Sequence, residues 1–295
     1  MITFKGTTFA DCYQASLIGL QSEGAQNEAR GTKSKELLNV ALVVEDPTSC
    51  LYSNQARGSQ IQYIAAEFLW YYMGRNDVQF ISKWAKFWQS IQNPDGTANS
   101  AYGHLIFKTK NPHNMCQYEW AIGSLLSDKN TRQAIMHFNL PDHQYPDNKD
   151  FVCTMYVNCH IRDNKFHMST FMRSNDAIWG TPTDVAFFCS LQMQMYSHLK
   201  QLYSDLELGT YTHIANSYHV YDRHYDLLTK MLDSEFVPVQ MPHVINDLIE
   251  ITGEPTQNFK ILFDELTSES SKDIIIFQEN DLFLWIYNNI NQRGK

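Results

Sequence analysis

Between residues 153 and 184 the sequence gathers side-chain types able to support covalent chemistry: Cys153, then Arg173-Ser174-Asn175-Asp176, then Asp184. A thiolate is a strong nucleophile and a good leaving group, suited to reversible addition to an electron-poor carbon. Guanidinium forks such as Arg173 suit a dianionic phosphate. An ionised carboxylate such as Asp184 only accepts hydrogen bonds, which makes it selective for amino groups. Each residue also has a plain structural reading. Cys153 fits the buried side of a strand, Asp184 fits an acid capping a helix start, and Arg173 fits a surface ion pair.

The elements that would hold these groups follow from periodicity. Phe151, Cys153, Met155, Val157, Cys159 and Ile161 alternate with Thr154, Tyr156, Asn158 and His160, which is strand spacing. Arg162-Asp163-Asn164-Lys165 turns the chain into a second strand, Phe166 to Arg173, so a β-hairpin is expected. Gly180-Thr181-Pro182-Thr183-Asp184 opens a helix from Val185 to Leu202, with Thr181 expected as N-cap and Pro182 at the first helical position. Residues 9–20 and 58–73 carry apolar residues at helical spacing; in the second, Ile61, Ile64, Ala65, Phe68 and Tyr72 share a face and Gly74 is the natural stop. Glu67 lies beside that face, where partial burial would equip it to move protons through water, although a helical glutamate commonly faces solvent. Residues 211–221 read as a strand, and 238–295 as mixed helix and strand, with Ile274–Phe277 the clearest strand. The mixture implies an α+β fold, a sheet backed by helices.

The composition bounds the function. A chain of 295 residues, 43% hydrophobic and without repeats or linkers, is expected to form a single domain over 1–295. A net charge of -9 opposes gripping a nucleic-acid backbone, whereas a free nucleotide needs only a few arginines. The N-terminal MITFKGTTFADCYQ lacks a signal-peptide pattern, and no run approaches the roughly 20 apolar residues of a membrane span, so a cytoplasmic protein is expected. Six cysteines without a C-x-x-C pair indicate neither a metal site nor a disulfide framework. Aromatics make up 13% of the chain, including Trp84 and Trp88, and serve equally for a core or for stacking on a flat ligand.

Taken in order, several segments resemble the thymidylate synthase family. Arg173-Ser174-Asn175-Asp176 followed by Gly180 and Pro182 resembles its R-S-x-D…G-x-P-x-N segment, and Cys153 falls where that family keeps its catalytic cysteine. Ala66-Glu67-Phe68-Leu69-Trp70-Tyr71-Tyr72-Met73-Gly74 resembles H-E-L-L-W-F-L-x-G, and Ala101-Tyr102-Gly103 resembles V-Y-G. Tyr211-Thr212-His213 through Tyr218-His219-Val220-Tyr221 resembles I-H…A-H-I-Y, Arg30-Gly31-Thr32 the phosphate-loop arginine, and Asn130-Thr131-Arg132-Gln133 the S-R-R pair. The matches are collinear from residue 30 to residue 221, and only the set is specific.

The resemblance implies a sheet-mediated homodimer that adds a one-carbon unit from 5,10-methylenetetrahydrofolate to C5 of a pyrimidine nucleoside monophosphate, with no metal. Cys153 would add to C6 and Glu67 would organise proton transfers. Arg30, Arg173 and Ser174 would hold the phosphate, joined by Arg132 from the partner subunit. His219 and Tyr221, two apart on a strand, would bond the sugar hydroxyl. Asp176 would meet the pterin, with Trp84, Trp88 and Tyr102 bordering the pocket. The departures are informative too. Where the family has the asparagine that contacts uracil, this chain has Asp184, as does the dCMP hydroxymethylase branch found in some bacteriophages. A carboxylate accepts from cytosine N4 and from a protonated N3 but faces the O4 lone pairs of uracil. Thr154, Met172 and Gln133 replace a histidine, a glutamine and an arginine of the pattern, and Gln292-Arg293-Gly294-Lys295 lacks the apolar closing tail. The expected product is therefore 5-hydroxymethyl-dCMP. The alternatives are a dCMP methylase, a CMP hydroxymethylase, or a silent nucleotide- or RNA-binding relative.

Overall fold

The computed structural model describes residues 1–29, 31–243, 248–268 and 280–291. Arg30, the strand expected at Ile274–Phe277 and the terminal Gln292–Lys295 lie outside the described residues. Contacts divide the chain into two compact units that interleave along the sequence. The first comprises Met1–Gln60, Cys153–Gln192 and Asp205–Met241; the second comprises Ile61–Val152, Met193–Ser204 and Pro242–Lys295.

The first unit is built on a mixed sheet in the order Ile2–Gly6, Thr32–Val44, Glu207–Tyr221, Lys165–Met172, Thr154–Arg162. Ile2–Gly6 runs parallel to Thr32–Val44, and Lys165–Met172 runs parallel to Glu207–Tyr221; the remaining pairs in that order are antiparallel. Helix Phe9–Glu23 covers Ile2–Gly6 and Thr32–Val44, burying Phe9, Cys12, Tyr13, Leu17 and Leu20. Its start is fixed by a capping box: Thr8 accepts from the Asp11 N–H while the Asp11 carboxylate accepts from the Thr8 N–H. The α+β architecture with a mixed, helix-backed sheet is the one the sequence implied.

The hairpin forms as expected, with Asp163 and Asn164 both at positive φ in its two-residue turn (49° and 60°), residue types that tolerate that region. From the turn outward, partners run Arg162↔Lys165 to Tyr156↔Phe171, and then a bulge shifts the register so that Thr154 meets Met172. The bulge corrects the expected alternation. Val157, Cys159 and Ile161 point into the core, but Met155 is exposed, Thr154 is buried and Cys153 is half-buried just before the strand. It also decides which residue stands across from Arg173: unbroken register would place Thr154 there, whereas the observed ladder ends with the Arg173 N–H donating to the Cys153 carbonyl at 2.9 Å.

The long helix spans Gly180–Leu202 and starts earlier than expected, so Thr181 is not its N-cap. The turn leading into it is organised instead by Asp176, whose Oδ1 accepts from the Ile178 and Trp179 N–H groups at 2.8 and 3.1 Å. Thr181 lies within the first helical turn, its hydroxyl 2.5 Å from Asn175 Oδ1.

In the second unit, helix Ile61–Tyr72 is buried on every side from Ile64 onward, broader than the single apolar face the sequence suggested. Helix Asp281–Asn291 packs on it through Phe68 and Trp285, and Tyr72 meets Phe259 edge-on. Gly74 ends it at φ 65°, its N–H donating to the Tyr71 carbonyl. Helix Tyr102–Phe107 approaches so closely that a Cβ on Gly103 would overlap the Tyr71 carbonyl. Gly103→Ala is therefore expected to destabilise the protein by about 1–3 kcal/mol, because backbone rather than a flexible side chain must yield. Chemical denaturation checks this; an unchanged midpoint would contradict the packing.

Candidate active site

Of the six thiols, Cys12, Cys50, Cys116, Cys159 and Cys189 are buried and Cys153 alone is partly open to solvent. Burial pushes the Cys12 thiol up to about 12 and raises Cys159 and Cys189 as well. Arg173 approaches Cys153 from across the hairpin, with Nη2 3.4 Å from Sγ. Residues twenty apart in sequence are thus joined by the turn and the bulge, setting a positive charge beside the sulfur that would carry negative charge as a nucleophile.

Beyond the hairpin, Asn175 is the hub of a hydrogen-bonded row within the first unit. Its Nδ2 donates to Asp184 Oδ2 at 2.8 Å, and its Oδ1 lies 2.5 Å from the Thr181 hydroxyl and 3.0 Å from His213 Nε2. The row ends at Tyr211, whose hydroxyl is 3.0 Å from His213 Nδ1. Asn175, Thr181, Tyr211 and His213 are buried, and Asp184 is half-buried. Gly180 is required here, since a Cβ would stand 2.9 Å from Asn175 Nδ2 and 3.4 Å from Asp184 Oδ2.

Burial dominates the electrostatics of this row. It raises the Asp184 carboxyl to about 7, aided by the nearby Asp176 charge and opposed by the Asn175 hydrogen bond. It lowers His213 to about 3, so the imidazole is neutral in ordinary buffers. As the fifth residue of its helix, with its carboxyl engaged by Asn175, Asp184 is not an N-terminal cap.

The other first-unit residues singled out in the sequence are Ser174, Asp176, His219 and Tyr221. Ser174 and Asp176 are half-buried, and Asp176 pairs in register with His219 on the neighbouring strand. His219 and Tyr221 share a face, with rings 4.9 Å apart, and the buried His219 Nδ1 has no hydrogen-bond partner among the described residues.

The second unit holds Glu67, Trp84, Trp88, Tyr102 and Arg132. Glu67 is only 5% exposed, and its Oε1 accepts from the Tyr63 hydroxyl at 2.6 Å and the Tyr71 hydroxyl at 3.3 Å. Trp88 Nε1 donates to the Tyr63 hydroxyl at 2.9 Å, and Tyr102 stacks on Tyr71 with centroids 5.5 Å apart. Trp84 packs on Phe80, and Arg132 is exposed. The sequence reading missed Tyr63, whose place one turn before Glu67, with Tyr71 one turn after, was the available signal. It matched Asn175, Tyr211 and His213 to motifs without giving them work, because their meeting depends on strand pairing. Among the described residues, no group of three or more His, Cys, Asp and Glu is placed to hold a metal ion, and no helix is long and apolar enough to cross a membrane.

The fold corresponds to a known class. The family model for thymidylate synthase matches residues 13–266, and the chain belongs to that family. Among its relatives is the deoxycytidylate 5-hydroxymethyltransferase of Enterobacteria phage T4, 31% identical over 212 residues, covering 67% of this chain and 80% of that one. The deoxyuridylate hydroxymethyltransferase of Bacillus phage SP01 is 28% identical, covering 75% of this chain and 59% of that protein. The fold is shared with thermostable thymidylate synthase A from Bacillus subtilis, at a TM-score of 0.67 and 20% identity, covering 82% of this chain and 91% of that one.

The raised Asp184 carboxyl links stability to pH. The folded group holds its proton up to about 7, whereas an unfolded aspartate releases it near ~4, so the folded state binds more protons between those values. Wild-type stability is expected to fall as pH rises through this window and to level off above it. Asp184→Asn should remove that slope, gaining about 3 kcal/mol on wild type between pH 4.5 and pH 8 in urea unfolding. A difference independent of pH would show that Asp184 titrates normally.

Proposed function

We propose that this protein transfers a one-carbon unit from 5,10-methylenetetrahydrofolate to C5 of dCMP and hydrates it to give 5-hydroxymethyl-dCMP. The observation that carries the reading is the Asp184 carboxyl, held near neutrality by burial with one oxygen already receiving the Asn175 N–H. Cytosine presents an N4 amino donor beside the N3 lone pair, so one carboxyl sharing one proton with N3 satisfies both positions. Uracil places the O4 lone pairs where the amino group would stand.

In the proposed reaction the Cys153 thiolate adds to C6, and the electron pair displaced to C5 attacks the methylene carbon of the folate. Loss of the C5 proton and departure of the folate amine leave an exocyclic methylene and tetrahydrofolate. Water adds to the methylene, the C6–S bond breaks, and Cys153 returns as thiolate, so no redox change occurs. Arg173 would steady the thiolate and, with Ser174 and Arg30, the phosphate. Glu67, buried and bonded by two tyrosine hydroxyls, would handle the protons and the attacking water. The unpaired His219 Nδ1 and neighbouring Tyr221 suit a sugar hydroxyl, and Asp176 suits the pterin, which Trp84, Trp88 and Tyr102 would border. The exposed Arg132 is free to reach the phosphate of a partner subunit, making the working form a homodimer.

Purified protein incubated with dCMP and 5,10-methylenetetrahydrofolate is expected to yield a product heavier by one CH2O, with tetrahydrofolate formed in step. A CH2 increment with dihydrofolate would instead mean methylation. Asp184→Asn is expected to shift the dCMP-to-dUMP ratio of kcat/KM toward dUMP by about 10²-fold, and Cys153→Ser to abolish turnover. An unchanged ratio in the first variant would remove Asp184 from base recognition.

A further inference from the structure

The turn that carries Asp176 is anchored from several elements of the first unit, and one of its anchors is costly. We propose that Arg57 and His224 are positioning residues for folate binding: they clamp Trp179 by its face and its edge, and so fix the Asp176 carboxylate for the ligand. This rests on the reading of Asp176 as the pterin-binding group.

Asp176 spends Oδ1 on the Ile178 and Trp179 N–H groups, and among the described residues nothing donates to Oδ2, which leaves that oxygen for a ligand. Where Oδ2 stands is therefore set by residues 177–179. Ala177 is tied twice, its N–H donating to the His219 carbonyl and its carbonyl accepting from the Tyr13 hydroxyl, both at 2.7 Å. Arg57 holds the next two: Nε donates to the Ile178 carbonyl at 3.1 Å, and the guanidinium lies 3.8 Å over the Trp179 ring. Burying this cation is expensive. Arg57 is 6% exposed, its Nη2 has no hydrogen-bond partner among the described residues, and no described carboxylate forms an ion pair with it. An apolar side chain would fill the same space at lower cost, so the guanidinium is explained by the turn it holds.

Trp179 is 46% exposed, and its edge is fixed by Nε1 donating to His224 Nε2 at 3.0 Å. An indole N–H can only donate, so His224 accepts at Nε2 and, when neutral, carries its proton on Nδ1. A second proton would set two donors face to face and open the clamp. Burial holds His224 below the ordinary histidine value, with Asp176 and Asp222 favouring a charge and Arg223 and Arg57 opposing it. The clamp is therefore closed at neutral pH and opens only below about 6.5.

The test measures KM for 5,10-methylenetetrahydrofolate at saturating dCMP between pH 8 and pH 5. Arg57→Met and His224→Ala are each expected to raise it about tenfold at pH 7.5, with kcat and the dCMP KM little changed. Wild type should approach the His224→Ala value as pH falls. His224→Gln, whose amide oxygen accepts the indole N–H without titrating, should stay low throughout. In a Trp179→Phe background, with no indole N–H to hold, His224→Ala should add nothing; an undiminished effect there would mean direct contact with folate and overturns the clamp. Proportional losses in kcat and both KM values would mark a merely structural role and overturn it too. If Asp176→Asn raises the folate KM and the clamp variants do not, the clamp fails alone; if Asp176→Asn leaves it unchanged, the pterin reading fails first and the clamp falls with it. Should Arg57→Met not fold, 15N spectra of the wild-type histidines at pH 7.5 decide: an Nδ1–H tautomer at His224 is expected, and Nε2–H overturns the proposal.

Discussion

A carboxyl group withdrawn from most of its water sets the terms for the first unit. A half-buried Asp184 must either keep its proton or find donors, and it does some of both: burial lifts it to about 7 while Asn175 supplies one N–H. Asn175 is buried too, so its carbonyl needs a donor, which the Thr181 hydroxyl provides, and His213 Nε2 lies 3.0 Å from the same oxygen. His213 in turn needs a partner for its second nitrogen, and Tyr211 stands 3.0 Å away. One ionisable group near the start of the Gly180–Leu202 helix thus recruits a row of side chains from two further strands. Gly180 is held to a bare Cα by the same crowding.

The thiol depends on a different constraint, the register of a hairpin. Two residues at positive φ close its turn, a bulge shifts the pairing by one residue, and Cys153 rather than Thr154 ends beside Arg173. The consequence is a half-buried cysteine just before the strand, while Cys159 within it lies in the core. In the second unit, helical spacing does comparable work, since Tyr63 and Tyr71 bracket Glu67 at one turn each and both donate to it.

Much of this was legible in the sequence, for identifiable reasons. The hairpin, the helices around residues 9–20 and 58–73, and the α+β class follow from periodicity and turn residues, which are local. Cys153, Glu67 and Asp184 stood out by type and by their place in a collinear pattern. The bulge was hidden because Met155 reads as an ordinary inward residue of an alternating strand; only its partner strand reveals the extra position. Thr181 was misread as a cap because the Thr-Pro signal is local, while the side chain that organises the turn, Asp176, lies several residues earlier. Asn175 and His213 carried no signal of cooperation, since they meet only once the Asn175–Asp176 segment lies beside Glu207–Tyr221.

The central claim is that Asp184 recognises cytosine by sharing a single proton with it, and that claim has a thermodynamic signature. With its carboxyl near 7, Asp184 is mostly ionised at pH 8 in the free protein and must take up a proton when dCMP binds. Calorimetric titration with dCMP at pH 8, in two buffers of different ionisation enthalpy, measures that uptake directly. The account predicts close to one proton bound per nucleotide, lost in the Asp184→Asn variant; dCMP binding with no proton uptake in the wild-type protein would contradict it.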